Sequence, residues 1–212
     1  MSVAQKAAAV ADRLFIKNIY EAYVFKRRIS VLAGHLSILI PEGAKVLDVG
    51  CGDGQLTNAI LQSRQDITVE GIDIVMREKT AIPVTVFDGR YFPYPDACFD
   101  VVLLIDMLHH TTDQMVLLKE ALRVTRKAII IKDHLCERFG ATAILRAMDW
   151  VGNARYHISL TYNYWSKKEW FEAFNSLNLT PKEWITDVKL YPFPANLIFG
   201  RALQFIARID LR

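Results

Sequence analysis

Cysteine is scarce in this chain, and its distribution is uninformative in a useful way. Cys51, Cys98 and Cys136 are odd in number and far apart. They form neither a disulfide framework nor a zinc-ligand spacing, which fits a reducing compartment, so the cytoplasm is the expected location. Charge of one sign is also missing. The 26 basic residues nearly balance the 23 acidic ones, and a formal charge of +3 gives no electrostatic footprint for nucleic acid. No uncharged run is long enough to span a bilayer, so stable membrane insertion is not expected. An alanine run near the N-terminus is interrupted by Asp12 and Arg13 before a signal-peptide core can form. Internal repeats, linkers and low-complexity tracts are lacking too. What remains is 212 residues, about half of them apolar, enough to bury one sizeable core.

The apolar pattern alternates between two periods. Residues 4–39 carry Leu14, Ile16, Ile19, Tyr20, Tyr23, Val24, Ile29, Leu32 and Leu36 at helical spacing, until Pro41 and Gly43. Lys45–Val49, Ile67–Ile74, Val84–Phe87, Phe99–Ile105 and Ala128–Ile131 read as strands, with Gln114–Val124 a helix before the last of them. Such alternation predicts an α/β domain with a doubly wound, mostly parallel sheet and helices on both faces. Between 134 and 165 no clear period appears, but Trp150, Tyr156, Tyr162, Tyr164 and Trp165 accumulate. Ser166 and Glu169 stand in capping-box register before a helix to Leu177. Glu183–Leu190 and Leu203–Ile209 are candidates for the last two of seven strands. The single domain therefore divides into a helical cap (1–40), a core (41–135), an insert (134–165) and a C-terminal helix with the last strands (166–212).

The most informative segment is Val46-Leu47-Asp48-Val49-Gly50-Cys51-Gly52-Asp53-Gly54. A buried strand runs into three closely spaced glycines and then into a helix, the way α/β proteins build a ligand crevice at the carboxyl ends of strands. Asp48 is a carboxylate in an apolar strand. An unpaired buried charge is costly, so it is expected to face a cationic or hydrogen-donating ligand. A dinucleotide fingerprint needs its third glycine at the sixth position, which here is Gln55; the glycine stands at the fifth, Gly54. Asp73, followed by Ile74, closes the second strand, where an acidic side chain can accept ribose hydroxyls. Asp88-Gly89 closes the third and Ile105-Asp106 the fourth.

Asp48 with the glycine triplet resembles motif I of the class I S-adenosylmethionine-dependent methyltransferases, of the small-molecule "type 11"-like kind. The resemblance covers about 45–135 and extends loosely to the helix at 165–177. Phe92–Asp100 looks like the "lPf.d.sFD" approach to the fourth strand. One departure is clear: Thr125-Arg126-Lys127 replaces the usual proline-glycine-glycine turn. The resemblance implies a Rossmann-like methyltransferase fold that binds S-adenosylmethionine and releases S-adenosylhomocysteine. It assigns the cofactor to Asp48, Gly50, Cys51, Gly52, Gly54, Asp73, Ile74, Asp88, Gly89 and Ile105. Asp88 would receive the adenine amine, and Ile105 would act through its carbonyl.

A sulfonium methyl is already electrophilic, so the chemistry calls for alignment and exclusion of water, with a base only where the nucleophile needs one. No metal site is expected. His110 and His134 are the candidate bases, since each follows a strand whose carboxyl end faces the crevice. Asp106 or Asp133 could orient one of them, whereas His109 is expected to pack or cap. Asp149 and Asn153 are weaker candidates, and the aromatic insert could wall an acceptor. Lys26-Arg27-Arg28 reads as a solvated helix face. Tyr191–Arg212 could be an interfacial membrane helix, but the fold's last strand is the preferred reading. The expected activity is methyl transfer to oxygen or nitrogen of a small metabolite. A non-catalytic cofactor-binding partner and, less favoured, an NAD-dependent oxidoreductase are the alternatives.

Overall fold

The computed structural model describes residues 23–137, 139–153, 161–193, 195–200 and 203–211, with side chains at all of these but 151–153, 197 and 198. Of the N-terminal cap, residues 23–39 are helical (α1), and Leu14, Ile16, Ile19 and Tyr20 lie outside the described residues.

Seven strands form one sheet: β1 (Lys45–Val49), β2 (Thr68–Asp73), β3 (Val84–Val86), β4 (Phe99–Ile105), β5 (Thr125–His134), β6 (Glu183–Ile185) and β7 (Gln204–Asp210). Their order is β3-β2-β1-β4-β5-β7-β6. The first five are parallel, and β7 lies antiparallel between β5 and β6. Both faces are covered, which is why β4 is apolar at all but one position. Val46, Val101, Leu103, Ala128 and Ile130 pack with Leu32 and Leu36 of α1 and with Ile60 of α2 (Gln55–Ser63). Leu47, Val102, Leu104, Ile129 and Ile131 point the other way. They meet Leu117, Leu118 and Ala121 of α3 (Gln114–Val124) and Trp170 and Phe174 of a later helix, Lys167–Ser176. That later helix opens with the full capping box, Ser166 and Glu169 bonding each other's backbone reciprocally.

Three expectations need correction. β5 starts at Thr125 rather than Ala128, because α3 runs into it with no loop. Thr125 caps the helix and its Oγ1 donates to the Ala121 carbonyl at 2.5 Å. This is how the chain dispenses with a glycine turn. The expected strand Glu183–Leu190 shortens to β6, since Lys189 takes φ +55° while Val188 and Leu190 turn into the core beside α1. Finally, the insert holds a helix, α4 (Ala141–Asn153), that buries Ala141 and Leu145 against Leu203. The later helix Lys167–Ser176 is α5, and a short turn of helix, α6, spans Asn196–Phe199. The preferred reading of the C-terminus holds, for β7 occupies Gln204–Asp210. Among the described residues no helix is long and apolar enough to cross a membrane.

Candidate cofactor cleft and the buried cluster behind it

The strand order reverses between β1 and β4, and a cleft of about 660 Å³ opens there at the carboxyl ends of the strands. Gly50, Gly52, Asp73, Ile74, Asp88 and Gly89 line one side, and Asp106, Met107 and His110 the other. Phe25 reaches over from α1.

The glycines divide by role. A β-carbon on Gly50 would stand 2.8 Å from Met107 Cβ, and one on Gly54 would stand 2.5 Å from Ile82 Cγ1, so these two serve packing. At Gly52, with φ +60°, a β-carbon would meet nothing within 4 Å. Its open side is where a ligand can come against the backbone. The Gly52 amide donates to Asp73 Oδ2 at 2.8 Å and the Val75 amide to Oδ1 at 3.0 Å. A carboxylate has about four acceptor sites, so these two bonds fix the orientation of Asp73 without using all of them. Asp88 is held likewise: the Arg90 and Tyr91 amides donate to Oδ1 at 2.8 and 2.7 Å, and these bonds hold its carboxyl below the usual range.

Four of the expected cofactor residues are not on the cleft wall: Asp48, Cys51, Gly54 and Ile105. Asp48 is satisfied internally, accepting from the Thr57 hydroxyl of α2, and burial raises its carboxyl to about 7. A strand carboxylate thus need not face a ligand when the following helix supplies a hydroxyl. Cys51 packs against Gly71, where a β-carbon would come within 2.6 Å of its sulfur. Ile105 buries its side chain in the core shared with α1.

The histidines separate in the same way. His110 lines the cleft. Burial and the adjoining His109 push its imidazole down, so it is neutral at physiological pH and can accept a proton. His134 does not reach the cleft wall. It lies buried at the end of β5, and burial, then Lys132, lower it to about 4. His109, expected merely to pack or cap, sits in the 3-10 turn Leu108–His110 and is 1 % exposed. Its Nδ1 donates to Asp133 Oδ1 at 2.6 Å. Against the opposing effect of burial, Asp133 and then Asp149 raise it to about 10.

Beside this cluster lies a second set of charges, in which Asp106 was expected near the histidines but Lys132 and Arg28 were not. Asp106, in left-handed backbone at φ +50°, pairs with both Lys132 of β5 and Arg28 of α1. Burial works against its charge, but Lys132 and Arg28 hold the carboxyl well below the usual range. The run Lys26-Arg27-Arg28 is therefore not a plain solvated face: Arg28 turns inward, and Arg27 donates to the Lys189 carbonyl at 3.3 Å. The aromatic insert does not form one wall. Trp150 is exposed, Trp165 packs edge-on to Trp170, and Tyr164 donates to Asp149 beside His109. Tyr156 and the Asn153 side chain lie outside the described residues.

The sheet order, the glycine turn and the carboxylates at successive strand ends are those of the class I methyltransferase fold. Solved structures share the fold. One is an S-adenosylmethionine-dependent methyltransferase of Thermotoga maritima, described as a possible histamine N-methyltransferase: TM-score 0.63, 17% identity, 92% of this chain and 96% of that one. Another is the 1,6-didemethyltoxoflavin-N1-methyltransferase of Burkholderia thailandensis with bound S-adenosylhomocysteine: TM-score 0.60, 16% identity, covering 99% and 91%. The family model "Methionine biosynthesis protein MetW" matches residues 33–168, and the chain belongs to that family. Among sequence relatives, the 27-O-demethylrifamycin SV methyltransferase of Amycolatopsis mediterranei is 29% identical over 56% of this chain and 51% of its own length. The 2-methyl-6-phytyl-1,4-hydroquinone methyltransferase of Synechocystis is 32% identical over 60% and 38%. The chain thus spans about half or less of the length of these relatives.

Proposed function

We propose that the cleft binds S-adenosylmethionine and that the enzyme methylates oxygen or nitrogen of a small metabolite. The observation that carries this reading is the Asp73 carboxylate, fixed by two backbone amides beside the open side of Gly52. Asp73 would accept the ribose hydroxyls, Asp88 the adenine amine, and Gly52 the close approach of the ligand to the backbone; Ile74 and Gly89 complete that wall. S-adenosylmethionine, when bound, supplies an electrophilic methyl group. The protein's share is then to orient the acceptor, keep water out under Phe25 and α1, and remove a proton where one must leave. The small-molecule acceptors named for the rifamycin and toxoflavin enzymes support the substrate class.

Separate calorimetric titrations with S-adenosylmethionine and NAD test the cofactor, and heat with NAD alone would sink the proposal. Release of S-adenosylhomocysteine across a metabolite panel tests turnover; a chain that binds the cofactor but turns over nothing would be a binding partner. Asp73→Ala is expected to weaken both S-adenosylmethionine and S-adenosylhomocysteine by about 1.5–3 kcal/mol, since each carries the ribose. An effect on only one of them would place Asp73 elsewhere.

His110 is the candidate base, in preference to the buried His134. With an acceptor in hand, His110→Ala should lower turnover by about 10²-fold, the lower end for a positioned base. Cofactor affinity should be unchanged. Turnover within a factor of three or so of wild type would mean that alignment and desolvation suffice.

A further inference from the structure

We propose that His109, His134 and Asp149 form a binding site for a divalent transition-metal ion behind the acceptor end of the cleft. The three side chains come from the 3-10 turn, the end of β5 and the middle of α4, and each offers a ligand atom within 4.8 Å of the others. All three are buried.

The two imidazoles are oriented as metal ligands are. Such a histidine generally directs its second ring nitrogen at a carboxylate or a backbone carbonyl, which fixes the ring and its tautomer. His109 Nδ1 is bonded to Asp133 Oδ1 at 2.6 Å, and His134 Nδ1 to the Leu203 carbonyl at 3.4 Å. His109 Nε2 is thereby turned toward Asp149, and His134 Nε2 toward both Asp149 and Asp106, whose Oδ1 lies 3.7 Å away. His109 Nε2 lies 3.3 Å from Asp149 Oδ2 and His134 Nε2 3.8 Å from Asp149 Oδ1. The first contact is at ion-pair distance but makes no hydrogen bond, so His109 Nε2 is a buried polar atom without one, as are Asp133 Oδ2 and His110 Nδ1 next to it. Unsatisfied buried groups gathered in one place call for an explanation, and a bound ion is one. Nitrogen and oxygen ligands bind these ions at about 2.0–2.2 Å, so donors separated as these are need to close by well under an ångström.

The donor set narrows the ion. Two imidazoles and one carboxylate suit zinc or ferrous iron, whereas calcium and magnesium prefer oxygen cages. Tyr164 steadies the third ligand by donating to Asp149. The site is independent of the methyltransferase reading, because none of its ligands lines the cofactor cleft.

The chelator-treated protein should take up one equivalent of Zn²⁺, and Co²⁺ as a probe should give the visible absorption of a low-coordinate nitrogen-oxygen site. Asp149→Asn, close to Asp149 in shape, should weaken Co²⁺ at least 10²-fold. Asp133→Asn, acting through His109, should weaken it about 10–100-fold. Both variants are checked for fold by their circular dichroism, and S-adenosylmethionine titration is run alongside. Folded wild-type protein that takes up no Zn²⁺ or Co²⁺ overturns the proposal. So does uptake that persists undiminished in folded Asp149→Asn, which would place the metal elsewhere. Loss of cofactor binding with metal uptake intact would instead count against the cleft assignment alone.

Discussion

Gly52→Val is expected to abolish S-adenosylmethionine binding while the domain still folds. The expectation separates a glycine kept for a ligand from glycines kept for packing. A β-carbon at Gly52 meets nothing within 4 Å, so the protein itself leaves room for a side chain there. Two costs remain. A β-branched residue at φ +60° is strained by about 1–3 kcal/mol, which lowers the melting temperature without unfolding a domain of this size. The branched side chain also fills the space through which the cofactor must reach the backbone. Calorimetry should show no heat of binding, and far-ultraviolet circular dichroism should be native. Gly54→Val is the contrast, because its β-carbon would stand 2.5 Å from Ile82 and should disrupt the fold first. Wild-type affinity in Gly52→Val would remove the cofactor from this turn.

The first strands of the sheet and the glycine turn between β1 and α2 were legible because their signals are local. A strand such as Phe99–Ile105 announces itself by continuous apolar residues, and the glycine turn by its spacing. Asp73 and Asp88 were reachable as the polar residues that end strands. Asp48 misled because a carboxylate in a strand looks unpaired until the position of Thr57 is known, nine residues on and one helix away. The acceptor side was harder for the same reason. Nothing adjacent in sequence ties His109 to Asp133 or Asp149, 24 and 40 positions later, and only the sheet order brings β4 beside β5. One signal in the insert could have been used. Ala141, Leu145 and Asp149 recur every four residues, the period of a helix face, and all three are buried.

Arg28 shows the same limit, and the ion cluster it joins carries the second large effect. Asp106→Asn is expected to destabilise the fold by about 3–4 kcal/mol, within the range for breaking a buried pair from one side. Asparagine tolerates left-handed backbone, so the φ of +50° at this position is not disturbed and the change isolates the charge. Lys132, 1 % exposed, would be left with its ammonium buried and its carboxylate partner gone. Arg28, whose side chain is 29% exposed, can turn to water and should contribute less. Urea unfolding measures the loss. Adding Lys132→Met to Asp106→Asn should then recover most of it, because the uncompensated charge has been replaced by an apolar chain of similar length. If Asp106→Asn unfolds within about 1 kcal/mol of wild type, the pair behaves as an exposed one and not as a buried tie. The N-terminal helix would then be held over the cleft by its apolar packing and its remaining hydrogen bonds, with Arg28 adding little of the tie from α1 to the end of β4.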